Sequence, residues 1–426
     1  MYSYKIQGGY PLSGTITASG NKNAALPCIV ASILTDEKVI IHNIPEIEDV
    51  KVICSILTSI GIKATQLTKN SWEFQVENLI SEVPAESAKA LRASILLAGP
   101  LLARTKEVIL PPPGGDVIGR RRLDTHFLAF CELGAKVTIE GSYIVKANQL
   151  VGADIFLDEA SVTATENAIM CAVLAKGKSI IRNAASEPHV QDLCNMLNQM
   201  GAKITGIGSN ILYIEGQEKL YGTEFTIGAD FMEVGSFIGL AAVTHSDIVI
   251  QNAGIEHLRM TKLAYNKLGI HWNIEGSAIH VPAQQELSII PDMGGMIPKI
   301  DDAPWPGFPA DLTSIVTVIA TQVNGTVLVH EKLFESRMFF VDKLISMGAR
   351  IVLCDPHRAV INGPARLHGS ELSSPDVRAG MAMVIAALCA NGESLIHNVY
   401  QIERGYENLV GKLKNLGAKI ERLKNS

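Results

Sequence analysis

The chain has 426 residues, of which 47% are hydrophobic and 19% are charged, and its formal net charge is −6. This length and apolar content predict two or three domains with a large core, and the mild acidity argues against a protein that binds nucleic acid. The longest apolar runs, such as residues 379–390, are too short to span a bilayer, and the polar start Met1–Gln7 does not resemble a signal peptide. We therefore expect a cytoplasmic protein that does not bind membranes.

A short pattern, in which a glycine is followed by an apolar, a basic and a second apolar residue, occurs six times along the chain. Its glycines are spaced roughly 67 to 79 residues apart. Such a regular period predicts that the fold is one supersecondary unit present in six copies. The glycines of the six copies are Gly61, Gly134, Gly201, Gly269, Gly348 and Gly417.

The third copy shows how one unit is built. Residues 164–175 are apolar at helical spacing and precede a predicted strand at 179–183. A second helix at 190–200 ends at the repeat glycine, and a hairpin of strands 203–205 and 211–214 closes the unit. The strand after the first helix recurs in the other copies at 39–43, 108–111, 248–252, 327–330 and 395–398.

Such α+β units, three to a domain, predict helices packed inside and sheets outside. The sixth copy lacks closing strands at its C-terminal end, and the opening strands 4–6 and 15–17 are predicted to supply them. We therefore expect one domain at 22–230 and a second one made of 1–21 and 231–426. The chain then crosses between the domains twice, which predicts a hinge and a cleft that closes on substrates.

Two positions are expected to face the same way in every unit, the N-terminus of the first helix and the loop after the following strand. A helix N-terminus attracts anions through its free N–H groups and the helix dipole. In the first copy Lys22 occupies this position, directly after the stretch 19–21. A lysine there is electrostatically unfavourable unless an anion lies beside it. The alternative is a solvated surface lysine.

The second copy contains a loop, 111–122, that combines prolines, glycines and three consecutive arginines at 120–122. It lacks the lysine and the Ser or Thr of a nucleotide-hydrolase phosphate loop, so we reject that function. The arginines suit a phosphate or a carboxylate, with a solvated charge run as the alternative. Arginines recur at equivalent loop positions as Arg121, Arg337 and Arg404. This regularity favours an anion-binding cleft between the domains.

The last two copies add polar residues at the start of their first helices. The fifth copy enters its helix through the proline- and aromatic-rich stretch 301–311, which ends at Asp311. An aspartate in this position fits a plain N-cap, and a functional carboxylate is the alternative. The sixth copy carries Asp376 and Arg378 at its helix start.

Taken together, these residues resemble the enolpyruvyl transferase family from the N-terminus to residue 421. The resemblance implies a two-domain inverted α/β barrel, or prism, built from six repeats. It implies transfer of the enolpyruvyl group of phosphoenolpyruvate to the 3-hydroxyl of UDP-N-acetylglucosamine, through a tetrahedral ketal and with release of phosphate, as a step of peptidoglycan synthesis. It implies no cofactor, and the seven cysteines lack the spacing of a zinc site. The motifs that carry the resemblance are 20–27, 91–94, 114–116, 124–126, 308–311, 376–379 and 403–407.

The resemblance also implies which residues bind the two substrates. It assigns Lys22, Arg121 and Arg404 to the phosphate and pyruvyl end of phosphoenolpyruvate. It assigns Arg337 and Arg378 to the carboxylate of the same substrate. The other implied substrate-binding residues are Asn23, Arg92, Arg122, Leu123, Asp124, Thr125, Ser161, Val162, Thr163, Leu333 and Asp376.

Two carboxylates are implied to move protons. Asp311 is the implied base near the acceptor hydroxyl, and Asp116 is the implied acid that protonates the methylene carbon. Family members typically carry cysteine at the position of Asp116, although some have aspartate. An aspartate donates a proton only if burial or a neighbouring anion raises its pKa, and bound phosphoenolpyruvate is such an anion. Since fosfomycin acts on the family by alkylating that cysteine, we expect this protein to resist the drug.

Two departures from the usual family sequence, at 120–124 and at Phe231, bear on the acceptor because they lie near the acceptor side or the hinge. One alternative is therefore a related transferase that acts on another nucleotide such as UMP. A second alternative is a catalytically silent relative that binds sugar nucleotides. The silent relative is disfavoured because Lys22, Asp311 and the implied anion-binding arginines are present together.

Overall fold

The computed structural model describes residues 2–114 and 122–424, which form two compact units. One unit comprises residues 20–114 and 122–228, and the other comprises residues 2–19 and 229–424. Each unit has a hydrophobic core of its own. Across the two described stretches, no helix is long and apolar enough to cross a bilayer.

The secondary structure alternates helices with short strands along both units. The strands are β1 (Tyr2–Gln7), β2 (Ser13–Thr17), β3 (Val39–His42), β4 (Ile62–Thr68), β5 (Ser71–Val76), β6 (Glu107–Leu110), β7 (Lys136–Ile139), β8 (Tyr143–Lys146), β9 (Asp154–Phe156), β10 (Lys178–Arg182), β11 (Lys203–Thr205), β12 (Ile211–Glu215), β13 (Thr223–Thr226), β14 (Asp247–Gln251), β15 (Asn273–Glu275), β16 (Ala278–Val281), β17 (Lys299–Asp301), β18 (Gly325–His330), β19 (Ile351–Asp355), β20 (Arg358–Gly363), β21 (Glu371–Ser373), β22 (Glu393–His397) and β23 (Lys419–Lys424). The α-helices are α1 (Lys22–Ala31), α2 (Glu48–Ser59), α3 (Ala85–Ala90), α4 (Ala98–Thr105), α5 (Asp124–Glu132), α6 (Val162–Ala172), α7 (Pro188–Gln199), α8 (Phe231–Val243), α9 (Arg259–Asn266), α10 (Thr313–Ala320), α11 (Val341–Ser346), α12 (Val377–Cys389), α13 (Tyr400–Glu403) and α14 (Leu409–Asn415). Short 3-10 turns occupy Ser32–Leu34, Arg92–Leu97, Ile255–His257, Met293–Gly295, Ala310–Leu312 and Arg337–Phe340.

The described strands form six sheets, one for each sequence repeat, and five of these sheets share one topology. An edge strand pairs in parallel with the strand that follows the first helix, and that strand continues antiparallel into a hairpin. The unit of residues 20–228 has the strand orders β13-β3-β5-β4, β6-β8-β7 and β11-β12-β10-β9. The other unit has β15-β16-β14-β2, β17-β18-β20-β19 and β21-β22-β1-β23. In the three-stranded sheet, a parallel bridge between Glu82 and Ile109 stands at the position of the edge strand.

The two opening strands join different sheets. β1 lies between β22 and β23 and acts as a closing strand of the sixth repeat, as the sequence predicts. The prediction that the second opening strand joins the same sheet is wrong, because β2 pairs in parallel with β14. The reason is that the sheet of the fourth repeat needs a parallel edge strand. The strand that precedes its own first helix, β13, pairs with β3 instead.

The first helix of each repeat is deeply buried. α8 and α10 are buried along their whole length, α6 over all but two residues and α12 over all but one. α10 packs against both α8 and α12, and strands β18 and β20 pack against α10. These helices are buried on every side and mostly apolar, which is typical of a helix enclosed by other elements. The helices therefore lie inside and the sheets outside, as the repeat pattern predicts.

The repeat glycines end the second helix of each unit in a left-handed conformation. All six have positive φ, between 74° and 106°. Only glycine adopts this conformation without steric cost, and it satisfies the last carbonyl groups of a helix. The backbone therefore explains why glycine recurs at this position.

An asparagine clamp is a second repeated feature, and it was not predicted. In four repeats, the residue directly after the strand that follows the first helix is an asparagine with φ between 53° and 57°. Three of these side chains donate hydrogen bonds of 2.8 or 2.9 Å to the backbone carbonyl just beyond the parallel edge strand. The clamp therefore ties the ends of two parallel strands together. The asparagines are Asn43, Asn183, Asn252 and Asn398.

Candidate active site

Asp311 is the centre of a group of charged side chains in the unit of residues 229–424. Its Oδ1 accepts a hydrogen bond of 3.1 Å from Nη2 of Arg337, and its Oδ2 accepts one of 3.0 Å from Nε of Arg378. The arginine side chains are 4% and 6% exposed, and that of Asp311 is 26% exposed. Asp311 lies inside the turn Ala310–Leu312, whose N-cap is Pro309, so the plain N-cap interpretation is wrong. Two almost fully buried cations thus hold one accessible carboxylate.

Arg378 is fixed from several sides. Its guanidinium lies over the ring of Tyr406, 5.3 Å from the centroid, and the hydroxyl of Tyr406 is 2.9 Å from Oγ of Ser236. Burial lowers the pKa of Arg378, but the charges of Asp311, Tyr406 and Asp230 outweigh it and raise the pKa overall. The guanidinium therefore stays charged in its buried position.

The two arginines keep unused donors. Nη1 of Arg378 and Nε of Arg337 are buried and have no hydrogen-bond partner among the described residues. A buried donor without a partner costs on the order of 1–3 kcal/mol. Nε of Arg337 faces the carboxylate of Glu331 at 3.7 Å, so Nη1 of Arg378 is the donor that suits an anionic ligand beside Asp311.

The other predicted residues of this unit lie at a helix start, at a helix end and at the surface. The Oδ1 atom of Asp376 is the N-cap acceptor of α12, where it accepts the backbone N–H groups of Arg378 and Ala379. Arg404 is the C-cap of α13 and donates from Nη1 to Oε1 of Gln401 at 2.9 Å. The side chain of Leu333 is exposed, next to the strand end of β18.

Lys22 is the main charged residue of the predicted set in the other unit. It is the first residue of α1, and the side chain of Asn21 caps that helix by accepting the N–H groups of Asn23 and Ala24. Nζ of Lys22 lies 2.5 Å from Oδ2 of Asp49, and the two side chains are 13% and 4% exposed. The alternative of a solvated surface lysine is therefore wrong, because a buried carboxylate supplies the anion beside the helix start.

Arg122 lies at the surface just before α5. Its Nε donates to Oδ2 of Asp124 at 3.0 Å, and its Nη2 is 3.8 Å from Oδ2 of Asp158. Oγ1 of Thr125 donates to Oδ1 of Asp158 at 2.7 Å, and Leu123 is buried. The predicted residues of this segment are therefore joined by Asp158, which the sequence analysis did not single out.

His126 connects α5 to the start of α6. Its Nδ1 is 2.9 Å from Nδ2 of Asn167 and its Nε2 is 3.2 Å from Oγ1 of Thr163. Burial, and then the charge of Arg92, lower the pKa of His126 to about 3. The ring is therefore neutral near pH 7, and it accepts from the amide of Asn167 and donates to Thr163. Ser161 and Val162, also predicted, begin the same helix.

Three further predictions concern Asp116, Arg121 and Phe231. Asp116 and Arg121 lie outside the described residues. Phe231 is fully buried and packs against the rings of His257 and Trp305, with centroids 5.9 and 5.7 Å away, and its place near the acceptor side or the hinge stays a prediction. The hydrophobic surroundings of α8 explain this burial.

The sequence analysis missed Asp49 and Tyr406. Asp49 begins the buried face of α2, which continues through Val50, Ile53 and Ile56. A carboxylate in phase with an apolar helix face is the signal that points to a buried partner. Tyr406 lies in a motif of the resemblance, and no pattern distinguishes its ring from a core side chain.

Comparisons with known proteins agree with this architecture. The family model described as EPSP synthase (3-phosphoshikimate 1-carboxyvinyltransferase) matches residues 6–413. A UDP-N-acetylglucosamine 1-carboxyvinyltransferase of Treponema denticola is 66% identical over 422 residues, covering 99% of each chain. Proteins of the same name from Treponema pallidum and Borreliella burgdorferi are each 60% identical over 99% or more of both chains.

Two solved structures share the fold. The enolpyruvyl transferase NikO from Streptomyces tendae superposes with a TM-score of 0.89 at 22% identity, covering 100% of this chain and 99% of that one. An EPSP synthase from Acinetobacter baumannii superposes with a TM-score of 0.76 at 17% identity, covering 100% of both chains. The predicted fold class, a two-domain α/β fold of repeated units, is confirmed.

Proposed function

Because the chain belongs to the EPSP synthase family, and within it to the UDP-N-acetylglucosamine 1-carboxyvinyltransferases, we propose that it transfers the enolpyruvyl group of phosphoenolpyruvate to UDP-N-acetylglucosamine. In this reaction the 3-hydroxyl oxygen of the sugar bonds to C2 of phosphoenolpyruvate. The bond from C2 to the phosphate oxygen then breaks, and inorganic phosphate leaves. The proposed role in the cell is to supply a precursor for peptidoglycan.

The observation that carries the proposal is the position of Asp311 between Arg337 and Arg378. The unpartnered Nη1 of Arg378 suits the carboxylate of phosphoenolpyruvate, whereas Nε of Arg337 faces Oε2 of Glu331 at 3.7 Å. When the carboxylate of phosphoenolpyruvate binds to these arginines, the side chain of Asp311 is close to C2, the carbon that reacts. Neither feature alone implies transfer chemistry, but their combination supports an anionic substrate attacked by an activated hydroxyl.

Asp311 is proposed as the general base. Two guanidinium groups are its partners, and nearby positive charge favours the ionised form of a carboxyl group. A substrate carboxylate that accepts hydrogen bonds from Arg337 and Arg378 shares their positive charge. Asp311 then becomes a stronger base at the moment when the acceptor hydroxyl has to lose its proton.

The remaining steps of the reaction are proposed for the other residues that the sequence predicts. Asp116 is proposed to protonate the methylene carbon as the tetrahedral ketal forms, and the loss of a proton from that carbon accompanies phosphate release. Lys22, Arg121 and Arg404 are proposed to bind the phosphate. The ion pair of Lys22 with Asp49 supports this role, because it orients the ammonium group at the start of α1.

Residues of the unit 20–228 are proposed to contact the acceptor, as are Asp311 and Leu333. The buried link of His126 to Thr163, and the link of Asp158 to Arg122 and Thr125, support a preorganised surface there. The residues proposed to contact the sugar nucleotide are Asn23, Arg92, Arg121, Arg122, Leu123, Asp124, Thr125, Ser161, Val162 and Thr163.

The proposal is tested by measuring phosphate release from phosphoenolpyruvate with three acceptors: UDP-N-acetylglucosamine, UMP and shikimate 3-phosphate. We expect release with the sugar nucleotide alone. Release with UMP alone would indicate a transferase for another nucleotide. No release with any of the three would contradict the proposed reaction.

A further inference from the structure

The chain after α13 lies against the first turn of α12. A Cβ atom on Gly405 would collide with Cγ1 of Val377, so a larger residue there would displace one of the two segments. Tyr406 follows Gly405, and Arg378 follows Val377. The close approach of the two segments therefore places the tyrosine ring beside the guanidinium group, whose Cζ lies 5.3 Å from the ring centroid.

The hydroxyl group of Tyr406 extends to α8. Its oxygen is 2.9 Å from Oγ of Ser236, and Oγ of Ser236 donates its hydrogen to the backbone oxygen of Met232 at 2.8 Å. A serine hydroxyl has one hydrogen, so the hydroxyl of Tyr406 is the donor in its bond with Ser236. Tyr406 and Ser236 are 2% and 0% exposed, so the bond is shielded from water. The ring is therefore fixed at both of its ends.

Tyr406 thereby defines the plane of the guanidinium group of Arg378. A cation within about 6 Å of a ring centroid is attracted to the ring face, most strongly where both are shielded from water. Nε of Arg378 donates to Asp311 at 3.0 Å, and Nη1 is buried with no partner among the described residues. The N–H groups of a guanidinium have fixed directions, so a fixed Nε and a fixed plane also fix the direction of Nη1.

We propose that Tyr406, anchored by Ser236, is a positioning residue that holds Nη1 of Arg378 in place for the carboxylate of phosphoenolpyruvate. The inference rests on the proposed function, which assigns that carboxylate to Arg378. Tyr406 acts through Arg378, because a long side chain that is already ordered loses fewer orientations when its ligand binds.

The alternative is that Tyr406 is an ordinary core side chain, and Tyr265 offers the comparison. Tyr265 is also fully buried, and its hydroxyl donates to the backbone oxygen of Gly235 on the same helix, α8, at 2.9 Å. Its ring lies edge-on to Trp272, and none of the cation–ring contacts of the described residues involves Tyr265. Tyr265 is therefore the matched control.

The kinetic test uses Tyr406→Phe, Tyr406→Leu and the control Tyr265→Phe in the full chain. Phenylalanine keeps the ring but loses the bond to Ser236, so KM for phosphoenolpyruvate should rise about threefold to tenfold. Leucine also removes the ring face, and KM should rise about tenfold to a hundredfold. In both variants kcat and KM for the nucleotide should change less than about threefold, because the bound carboxylate itself orders Arg378. Tyr265→Phe should keep both KM values within about twofold of the wild type.

The anchor on α8 is tested by Ser236→Ala and by the double variant Ser236→Ala/Tyr406→Phe. Both substitutions remove the same hydrogen bond, so the double variant should raise KM for phosphoenolpyruvate no more than the larger single effect. Effects that multiply would overturn the anchoring by Ser236. These variants carry the test if Tyr406→Leu does not fold. A wild-type KM in both Tyr406→Phe and Ser236→Ala, or an equal rise in Tyr265→Phe, would overturn the proposal.

A second measurement does not depend on turnover: the NMR signal of the Nε–H group of Arg378, identified by its loss in Arg378→Lys. We expect a sharp signal in the wild type and in Tyr265→Phe, a broader one in Ser236→Ala, and a shifted one in Tyr406→Leu, which lacks the ring current. An unchanged signal in Ser236→Ala and Tyr406→Leu would overturn the positioning of Arg378. If the wild type shows no turnover but the signals behave as expected, the proposed function fails and the positioning of Arg378 by Tyr406 stands.

Discussion

Arg378 donates a hydrogen bond of 3.0 Å from its Nε to Oδ2 of Asp311, from a side chain that is only 6% exposed. The helix that carries Arg378 is itself capped by Asp376, so the arginine is held by its backbone as well as by its partners. Asp311 is therefore oriented by two guanidinium groups in the resting protein. An anion that binds to Arg378 therefore competes with Asp311 for this hydrogen bond.

Replacement of Asp311 by asparagine should remove turnover and leave nucleotide binding intact. The amide still accepts a hydrogen bond from an arginine, but it cannot take a proton. Loss of a general base lowers kcat by about 10²–10⁴-fold. Steady-state kinetics and calorimetric binding of the nucleotide check this, with the surface variant Asp355→Asn as the control. Unaltered turnover would show that another group is the base.

Replacement of Lys22 by methionine should destabilise the unit of residues 20–228 as well as abolish activity. The substitution breaks the buried ion pair with Asp49, and removing one partner of such a pair costs about 3–5 kcal/mol. The double variant Lys22→Met/Asp49→Asn should recover most of the stability and none of the activity. Denaturant unfolding of both variants checks this. Equal unfolding midpoints for the single and double variants would contradict it.

Glu166 should make the protein less stable as the pH rises. This residue of α6 is fully buried, and burial, with the charge of Glu187 as the second cause, raises the pKa of its carboxyl well above the usual 4.5. Above pH 4.5 the unfolded chain loses this proton while the folded chain keeps it. The free energy of unfolding therefore falls with rising pH, up to the raised pKa, by at most about 1.4 kcal/mol per pH unit.

The variant Glu166→Gln should remove this dependence. Unfolding curves between pH 5 and pH 8 should show a smaller decrease in stability for Glu166→Gln than for the wild type. The exposed residue at the end of α5 provides the control variant, Glu132→Gln, which should follow the wild type. Parallel curves for all three proteins would contradict a protonated Glu166.

The carboxylate at position 116 should protect the protein from fosfomycin. Alkylation by the drug requires a thiolate, and a carboxylate is a much weaker nucleophile. We expect no time-dependent inactivation of the wild type and a covalent adduct, detectable by intact mass, on Asp116→Cys. Covalent inactivation of the wild type by fosfomycin would contradict this expectation.

Much of the fold follows from the repeat. In the third copy the strand predicted at 203–205 coincides with β11, and the helix predicted at 190–200 corresponds to α7 (Pro188–Gln199). The predicted strand 179–183 is displaced by one residue from β10 (Lys178–Arg182), which ends before the left-handed Asn183. The edge strands were harder to predict, since pairs such as β2 with β14 join segments more than two hundred residues apart.

The candidate site was predicted less completely. The sequence predicted Lys22, Asp311, Arg337 and Arg378 as site residues because they are charged side chains at helix starts or at equivalent loop positions of the repeats. Buried partners such as Asp49 and Glu331 lie inside regular elements or at their ends, where single-sequence patterns carry little information. Comparison of the repeats at the asparagine clamp would have identified Glu331, since glutamate breaks the pattern there.

The central claim is the identity of the reaction, and the product tests it most directly. The purified protein is incubated with phosphoenolpyruvate and UDP-N-acetylglucosamine, and the nucleotide product is examined by NMR. We predict vinyl proton signals from an enolpyruvyl group attached through the 3-oxygen of the sugar, with one phosphate released per product. Unchanged UDP-N-acetylglucosamine, or an enolpyruvyl group on another oxygen, would contradict the account.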